Sequence, residues 1–282
     1  MTNRTYADLF DLIESLAGVD EFAPTETTKI LAMANRRLRQ AYDACDIWPR
    51  YQRLDARPAP NGYVPYSYNA SNGTRMASAA SRNGTTVTFT TGGVDFDVIV
   101  GQKVTISGLS GSVSPNGVYA ITSVDGQTVT YELATGTGTE TYTGTGLLTP
   151  VTIPDVEVFV RLHDRNPVSG TGGNEYDFFV DTNGANPIGN SPELEGFWVT
   201  YKAIWDGPYT NASANIPQEW FYYAAHATYA DFLRMDGQTD RALAEEAVAQ
   251  MYLDTELTKA GQQRNMNNLF RRFSTYTSRQ FR

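Results

Sequence analysis

Few residues in this chain could do covalent or metal chemistry, and none stands at a spacing that such chemistry needs. There is one cysteine, Cys45, and there are two histidines, His163 and His226. A single cysteine excludes an intrachain disulfide and a cysteine-built zinc site. Cys45 falls on the apolar stripe of a helix with no basic residue evident beside it. A core thiol is therefore expected rather than a nucleophile, which needs a lowered pKa. His226 lies in the aromatic-rich run EWFYYAAHATYADFLRM, where a hydrogen-bonded histidine is expected rather than a base. Asp177 and Asp181 flank the strand-like YDFFV run. Glycoside cleavage needs two carboxylates ~5–9.5 Å apart, but a pair at strand spacing reads as solvated surface. No Ser-His-Asp order, phosphate-binding P-loop or HExxH occurs. The expectation is a chain with no catalytic residue, no metal and no cofactor.

The residues that do gather are arginines and aromatics. Between Gln262 and Arg282 stand Arg264, Arg271, Arg272, Arg279 and Arg282, with no acidic residue. Phe270, Phe273, Tyr276 and Phe281 are interleaved with them. Arginine with aromatic side chains is the composition of interface anchors. Three readings are open: insertion into an acidic groove of a protein partner, contact with nucleic acid, or a solvated tail. The interleaving favours the first. With no packing partner of its own, the segment is expected to be disordered until it docks. Arg36, Arg37 and Arg39 form a second cluster, lying mostly off the apolar stripe of their helix.

The rest of the chain must position these groups. It has 282 residues, 41% hydrophobic and 19% charged, with a net charge of −9. One large or two modest domains are expected, with a sizeable core. An acidic chain lacks the basic face that gripping duplex phosphates requires, though it could enclose DNA without holding it. No apolar run approaches the ~18 residues of a membrane span, and MTNRTYADLF has no secretory pattern.

Thr5, with Asp8 in the first turn, opens a helix carrying Leu9, Leu12, Ile13 and Leu16, and Gly18 stops it. A second helix follows Pro24 with Ile30, Met33, Ala34, Leu38, Ala41 and Cys45 on one stripe, and Pro49 ends the run. Residues 50–82 read as a connection. Between Asn83 and Leu147, Gly turns separate short period-two runs, with Val87 and Phe89, Val104 and Ile106, Val118 and Ala120, and Val129 and Tyr131 as alternating positions. A small barrel or sandwich is expected there. VEVFVRL, with Val156, Val158 and Val160 on one face, then YDFFV and FWVTYKAIW suggest an antiparallel sheet. Pro217 opens a third helix. A fourth runs from Thr239 to about Lys259 with Leu243, Ala247, Val248, Met251, Tyr252 and Leu257 as a wide apolar stripe, and Gly261 closes it. The expected fold is α+β: a bundle of four main helices with a small antiparallel sheet and an inserted β-barrel or sandwich. Its limits are 1–82 with 148–261 for the helical part, 83–147 for the insertion and 262–282 for the basic tail.

The stretches GQKVTISG, NGVYAITSV and TVTYEL resemble the small β-barrel module named after the first catalytic-cysteine half-domain of ubiquitin-activating enzymes. Similar modules decorate many phage structural proteins. The resemblance implies an exposed accessory barrel and no ubiquitin chemistry, because it carries no catalytic residue.

The whole order is also familiar: two N-terminal helices, the second arginine-rich and leading into Trp48-Pro49, then a β insertion, a helix pair beginning IPQEW, and a basic C-terminus. It resembles the head-to-tail connector (adaptor) proteins of tailed bacteriophages, chiefly over 1–50 and 216–282. The resemblance implies a homo-oligomeric ring, usually of twelve copies, beneath the portal protein. DNA passes its channel without sequence-specific binding, and a downstream stopper or tail protein follows. The location implied is the virion neck, after assembly in the host cytoplasm. The C-terminal residues named above would dock into the portal, and Arg36, Arg37 and Arg39 would be further ring or portal contacts. Other neck or tail proteins (a stopper or a tail tube) and a receptor- or carbohydrate-binding virion module remain alternatives. A virion hydrolase would be the enzymatic one.

Overall fold

The computed structural model describes residues 4–68, 74–168, 173–189, 195–210 and 212–279, with side chains through residue 262. It divides into two compact units, one built from both ends of the chain (residues up to Tyr51 and from Trp205) and one spanning Gln52–Ile204.

The first unit holds four helices among the described residues: α1 (Tyr6–Ala17), α2 (Pro24–Asp43), α3 (Gln218–Met235) and α4 (Thr239–Arg279). Thr5 caps α1 in a reciprocal box with Asp8, whose carboxylate accepts from the Thr5 amide at 2.7 Å. Gly18, at φ 72°, closes α1 in the left-handed conformation that a side chain resists. Helix α3 is buried almost all round, through Trp220, Phe221, Tyr223, Ala224, Ala227, Ala230 and Leu233. It is the central helix, with α1, α2 and α4 packed against it. The strand Arg4–Thr5 pairs with Asn215–Ile216, tying the N-terminus to the segment that leads into α3.

Where the second unit leaves and returns, aromatic rings close the helical core. Tyr51 stacks on Trp220 with centroids 5.3 Å apart, and Trp48 meets the same ring edge-on at 5.7 Å. The Tyr51 hydroxyl donates to Asp206, so the two ends of the helical unit at this point are held together side chain to side chain. Replacing 53–203 by a short Gly/Ser linker is therefore expected to leave the helical unit folded. Circular dichroism should show the full helical signal and cooperative melting.

Among the described residues the regular elements of the second unit are all β. Its largest sheet has eight strands in the order Thr139–Thr141, Ala79–Asn83, Thr86–Thr90, Thr128–Glu132, Gly117–Asp125, Lys103–Ser107, Leu147–Pro150 and Arg75–Met76. The sheet curls into a half-barrel. Val87, Phe89, Val104, Ile106, Val129, Tyr131 and Leu148 fill it. A four-stranded sheet follows the order Glu175–Tyr176, Val156–His163, Gly196–Ala203, Gln52–Pro58, and a three-stranded sheet joins Phe178–Val180, Gly184–Pro187 and Val64–Pro65. Arg57, in the strand Gln52–Pro58, is fully buried. It donates to the carbonyls of Pro154 at 3.0 Å and Tyr66 at 3.1 Å, and its guanidinium lies 4.9 Å from the Tyr201 ring centre.

The expected fold class is overturned. The chain is mostly β and 30% helical, not a helical bundle with a small sheet. The half-barrel draws strands from Arg75 to Pro150, so it reaches beyond 83–147 on both sides. Cutting out 83–147 would leave Arg75–Met76, Ala79–Asn83 and Leu147–Pro150 without most of their partners. Two strand faces also differ from expectation. In Gly117–Asp125 the inward side is the one shared by Tyr119 and Ile121, so Val118 and Ala120 are exposed, and the pairing slips between Ile121 and Ser123, after which Val124 is half-buried. In Val156–His163 the buried residues include Phe159 and Leu162, with register shifts on either side of Phe159. A bulge flips the side-chain parity beyond it.

Gly101 is a sharp test of this packing. Its φ is +87°, and a Cβ there would lie 2.2 Å from Cζ2 of Trp198. Gly101→Ala is expected to lower stability by about 2 kcal/mol or more, from overpacking and backbone strain together. A chemical-denaturation midpoint measures it.

Candidate functional site

Helix α4 does not stop at Gly261. It runs through to Arg279, 41 residues in all, or roughly 60 Å at ~1.5 Å per residue. Gly261 keeps a helical backbone here, unlike Gly18 and Gly237, which take positive φ. A glycine inside a helix costs about 1 kcal/mol relative to alanine and does not by itself end it. The expected disorder of 262–282 is therefore replaced by backbone helix as far as Arg279. The side chains of Arg264, Phe270, Arg271, Arg272, Phe273, Tyr276 and Arg279 lie outside the described residues, as do Phe281 and Arg282 entirely.

The described part of α4 has a buried side and an exposed one. In the first half Ala242, Ala249, Leu253 and Ala260 are buried, a small-residue seam that lets α4 lie close to the alanines of α3. At about 100° per residue these positions lie about 160–180° from Met251 around the helix axis. Met251 is 59% exposed.

The side exposed at Met251 is shaped. Ala247, Met251, Thr255, Thr258 and Gln262 line a shallow groove along α4, with Gln250 and Asp254 on its edge. Leu243 is also 59% exposed. The wide stripe read from the sequence thus splits: Tyr252 and Leu257 pack against the core, whereas Leu243 and Met251 face out. The signal for this split is the run of small residues at 242, 249 and 260, which marks the seam better than the large ones do.

The second arginine cluster is spent inside the unit. Arg37 is buried and grips Asp231 with two bonds, Nε to Oδ2 at 2.8 Å and Nη2 to Oδ1 at 2.6 Å. It also holds Glu246 at 3.0 and 2.8 Å. Arg36 reaches the same Asp231 at 2.7 Å with a side chain 60% exposed, and Arg234 bridges Asp231 and Glu246 at 3.1 and 3.0 Å. The network joins α2, α3 and α4. Burial alone would push the Asp231 carboxyl up; the hydrogen bonds from Arg37 and Arg36 outweigh it and hold the group below its usual range. Arg39 pairs with Asp43 at 3.0 Å, and its guanidinium lies over the rings of Tyr42 and Trp205 at 5.0 and 5.8 Å. Of the three, Arg36 is the most exposed.

The groups that could do chemistry are also placed. Cys45 is partly buried against the helical core. His226 Nδ1 lies 2.8 Å from Glu245 Oε2, and its ring stacks on Tyr252 at 5.4 Å. His163 is buried in its strand. Asp181 closes a turn, accepting from the amides of Asn183 at 2.7 Å and Gly184 at 3.1 Å. Asp177 sits exposed at the other end of the strand Phe178–Val180. Tyr51 and Tyr209 both donate to Asp206. Burial first, then the Asp206 bond, raises both phenols. Among the described residues no three His, Cys, Asp or Glu side chains gather as a metal site, and no helix is long and apolar enough to cross a membrane.

Comparison with protein-family models, curated proteins and solved structures gives no match. Helix α4 is the centre of the candidate site: among its described side chains Ala242, Ala249, Leu253 and Ala260 are buried, and Leu243 and Met251 are exposed.

Proposed function

We propose that this chain is a head-to-tail adaptor of a tailed bacteriophage. It forms a ring beneath the portal, of twelve copies as in the proteins it resembles. The ring links the capsid to a downstream stopper or tail protein and leaves a channel for the genome. It works in the neck of the virion after assembly in the host cytoplasm, as a structural part and not as an enzyme. The observation that carries this is helix α4 itself, 41 residues long, held through the buried Ala242, Ala249, Leu253 and Ala260 while Leu243 and Met251 stay exposed. A long helix anchored on one side and apolar where it meets solvent offers a second protein a face to grip.

The arginines suit that partner. Arg271, Arg272 and Arg279 would make charge-assisted, bidentate pairs with carboxylates on the portal, and Phe270, Phe273 and Tyr276 would fill apolar pockets between them. Each copy docks weakly, and the ring multiplies the contact through effective concentration. The net charge of −9 fits a channel wall that DNA must slide past.

Capture on the portal ring tests this. Full-length chain is expected to be retained at moderate salt, and chain ending at Gly261 to be lost while keeping its melting temperature. Equal retention of both would remove α4 from the joint and with it the basis of the proposal.

A further inference from the structure

A ring needs a lateral contact as well as an axial one, and the reading above leaves the lateral one unassigned. We infer that the outward face of the first half of α4 is the surface that meets the next copy of this chain, and that the next copy meets it with the outward face of α2. The inference rests on the ring reading and concerns a different part of the molecule from the C-terminal docking residues.

On α4, Leu243, Ala247 and Met251 recur at four-residue spacing, and all three are exposed. Two large apolar side chains on a solvent-facing stripe of an otherwise well-packed unit are the kind of patch that a partner covers. The stripe is edged by acids: Asp240 lies one turn before Leu243, and Asp254 one turn beyond Met251, where its carboxylate accepts from Gln250 at 2.8 Å. Both acids are exposed.

The outward face of α2 is its complement. Lys29, Ala32 and Arg36 stand at i, i+3 and i+7 on one side of that helix, all exposed. A small residue between two cations lets the backbone of a second helix come close, while the cations reach to either side. Arg36 is held by Asp231 at 2.7 Å yet remains 60% exposed, so its guanidinium is fixed in place and still available. Ala32 of one copy seated against Met251 of the next, with the two helices antiparallel, would put Lys29 beside Asp254, each about one turn from the seat. The two faces belong to different helices and are not the same patch, so the contact is head-to-tail. Repeated with a closing rotation, it generates a ring rather than a two-fold dimer. One helix pair is smaller than a stable protein–protein interface of ~1,600 Å², so closure of the ring is what makes it persist.

The test is self-association of the purified full-length chain, without portal, by light scattering and electron-microscope class averages. Wild type is expected to form closed rings. Met251→Glu, Lys29→Glu and Asp254→Lys are each expected to weaken association at least tenfold, with helical signal and melting temperature unchanged. The double variant Lys29→Glu with Asp254→Lys is expected to recover association to within about threefold of wild type. A wild-type monomer, rings that survive Met251→Glu, or a double variant no better than either single would overturn the inference. Portal capture by the truncated and full-length chains is read separately, so loss of the lateral contact and loss of the adaptor reading give different results.

Discussion

Asp231→Ala should destabilise the helical unit by about 3–5 kcal/mol, the usual effect of removing one partner from a buried ion pair. The aspartate is 7% exposed and receives three guanidinium groups, from Arg36, Arg37 and Arg234. Without it, Arg37 stays buried with Glu246 as its remaining carboxylate. Asp231→Asn keeps the shape and loses the charge, so it should fall between wild type and alanine. The pH dependence follows in sign. The folded-state pKa of Asp231 is lowered, so its stabilisation is fully present above the ordinary carboxyl pKa of about 4 and is lost as pH falls through the folded value. Wild type should therefore lose stability below about pH 4 more steeply than Asp231→Asn. Urea midpoints of the two across pH 3–7 would show it, and parallel profiles would mean that the carboxylate carries no such linkage.

The double variant Arg271→Glu, Arg272→Glu should abolish portal capture, with a loss of at least a hundredfold for the ring and no change in melting temperature. Two charge reversals per copy are multiplied around the ring. The wild-type interaction should weaken as salt rises, since part of it is charge pairing. Phe270→Ala with Phe273→Ala should weaken capture too, yet leave the salt dependence of what remains close to wild type. Those two residues act by filling pockets. An unchanged affinity in either variant would assign the contact elsewhere, and Arg36 would be the first place to look.

The helical ends of the chain were readable because local chemistry and tertiary packing agree there. Thr5 with Asp8, Gly18, and the stripe through Ile30, Ala34, Leu38 and Ala41 all act as their types suggest. Period-two runs were readable where the strand is regular, as at Val87 with Phe89 and Val129 with Tyr131, all buried. The β content outside those runs was hidden by polar groups placed inside. Arg57 and Arg82 are buried within the strands Gln52–Pro58 and Ala79–Asn83, and each breaks the apolar alternation that marks a strand. Very short strands such as Arg75–Met76 and Val64–Pro65 carry too few residues to show a period at all. Residues 50–82 consequently read as a connection, though they supply strands to three sheets.

At the candidate site, the composition of the C-terminal segment was plain from the sequence, and its helical backbone was not. Gly261 looks like a stop, but a stop needs a left-handed backbone and an end to favourable neighbours. After Gly261 come Gln, Arg and Met, which continue a helix readily, among asparagines that do so less well. Arg37 was misplaced for a related reason. An arginine on a helix is read as surface, whereas the carboxylates that draw it inward, Asp231 and Glu246, lie about two hundred residues further along the chain.

Electron-microscope class averages of the full-length chain mixed with the cognate portal ring test the central claim most directly. The account predicts a second ring, coaxial with the portal, that disappears when the chain ends at Gly261. A chain that stays off the portal at every concentration tried, or one that binds equally well without residues 262–282, would contradict it.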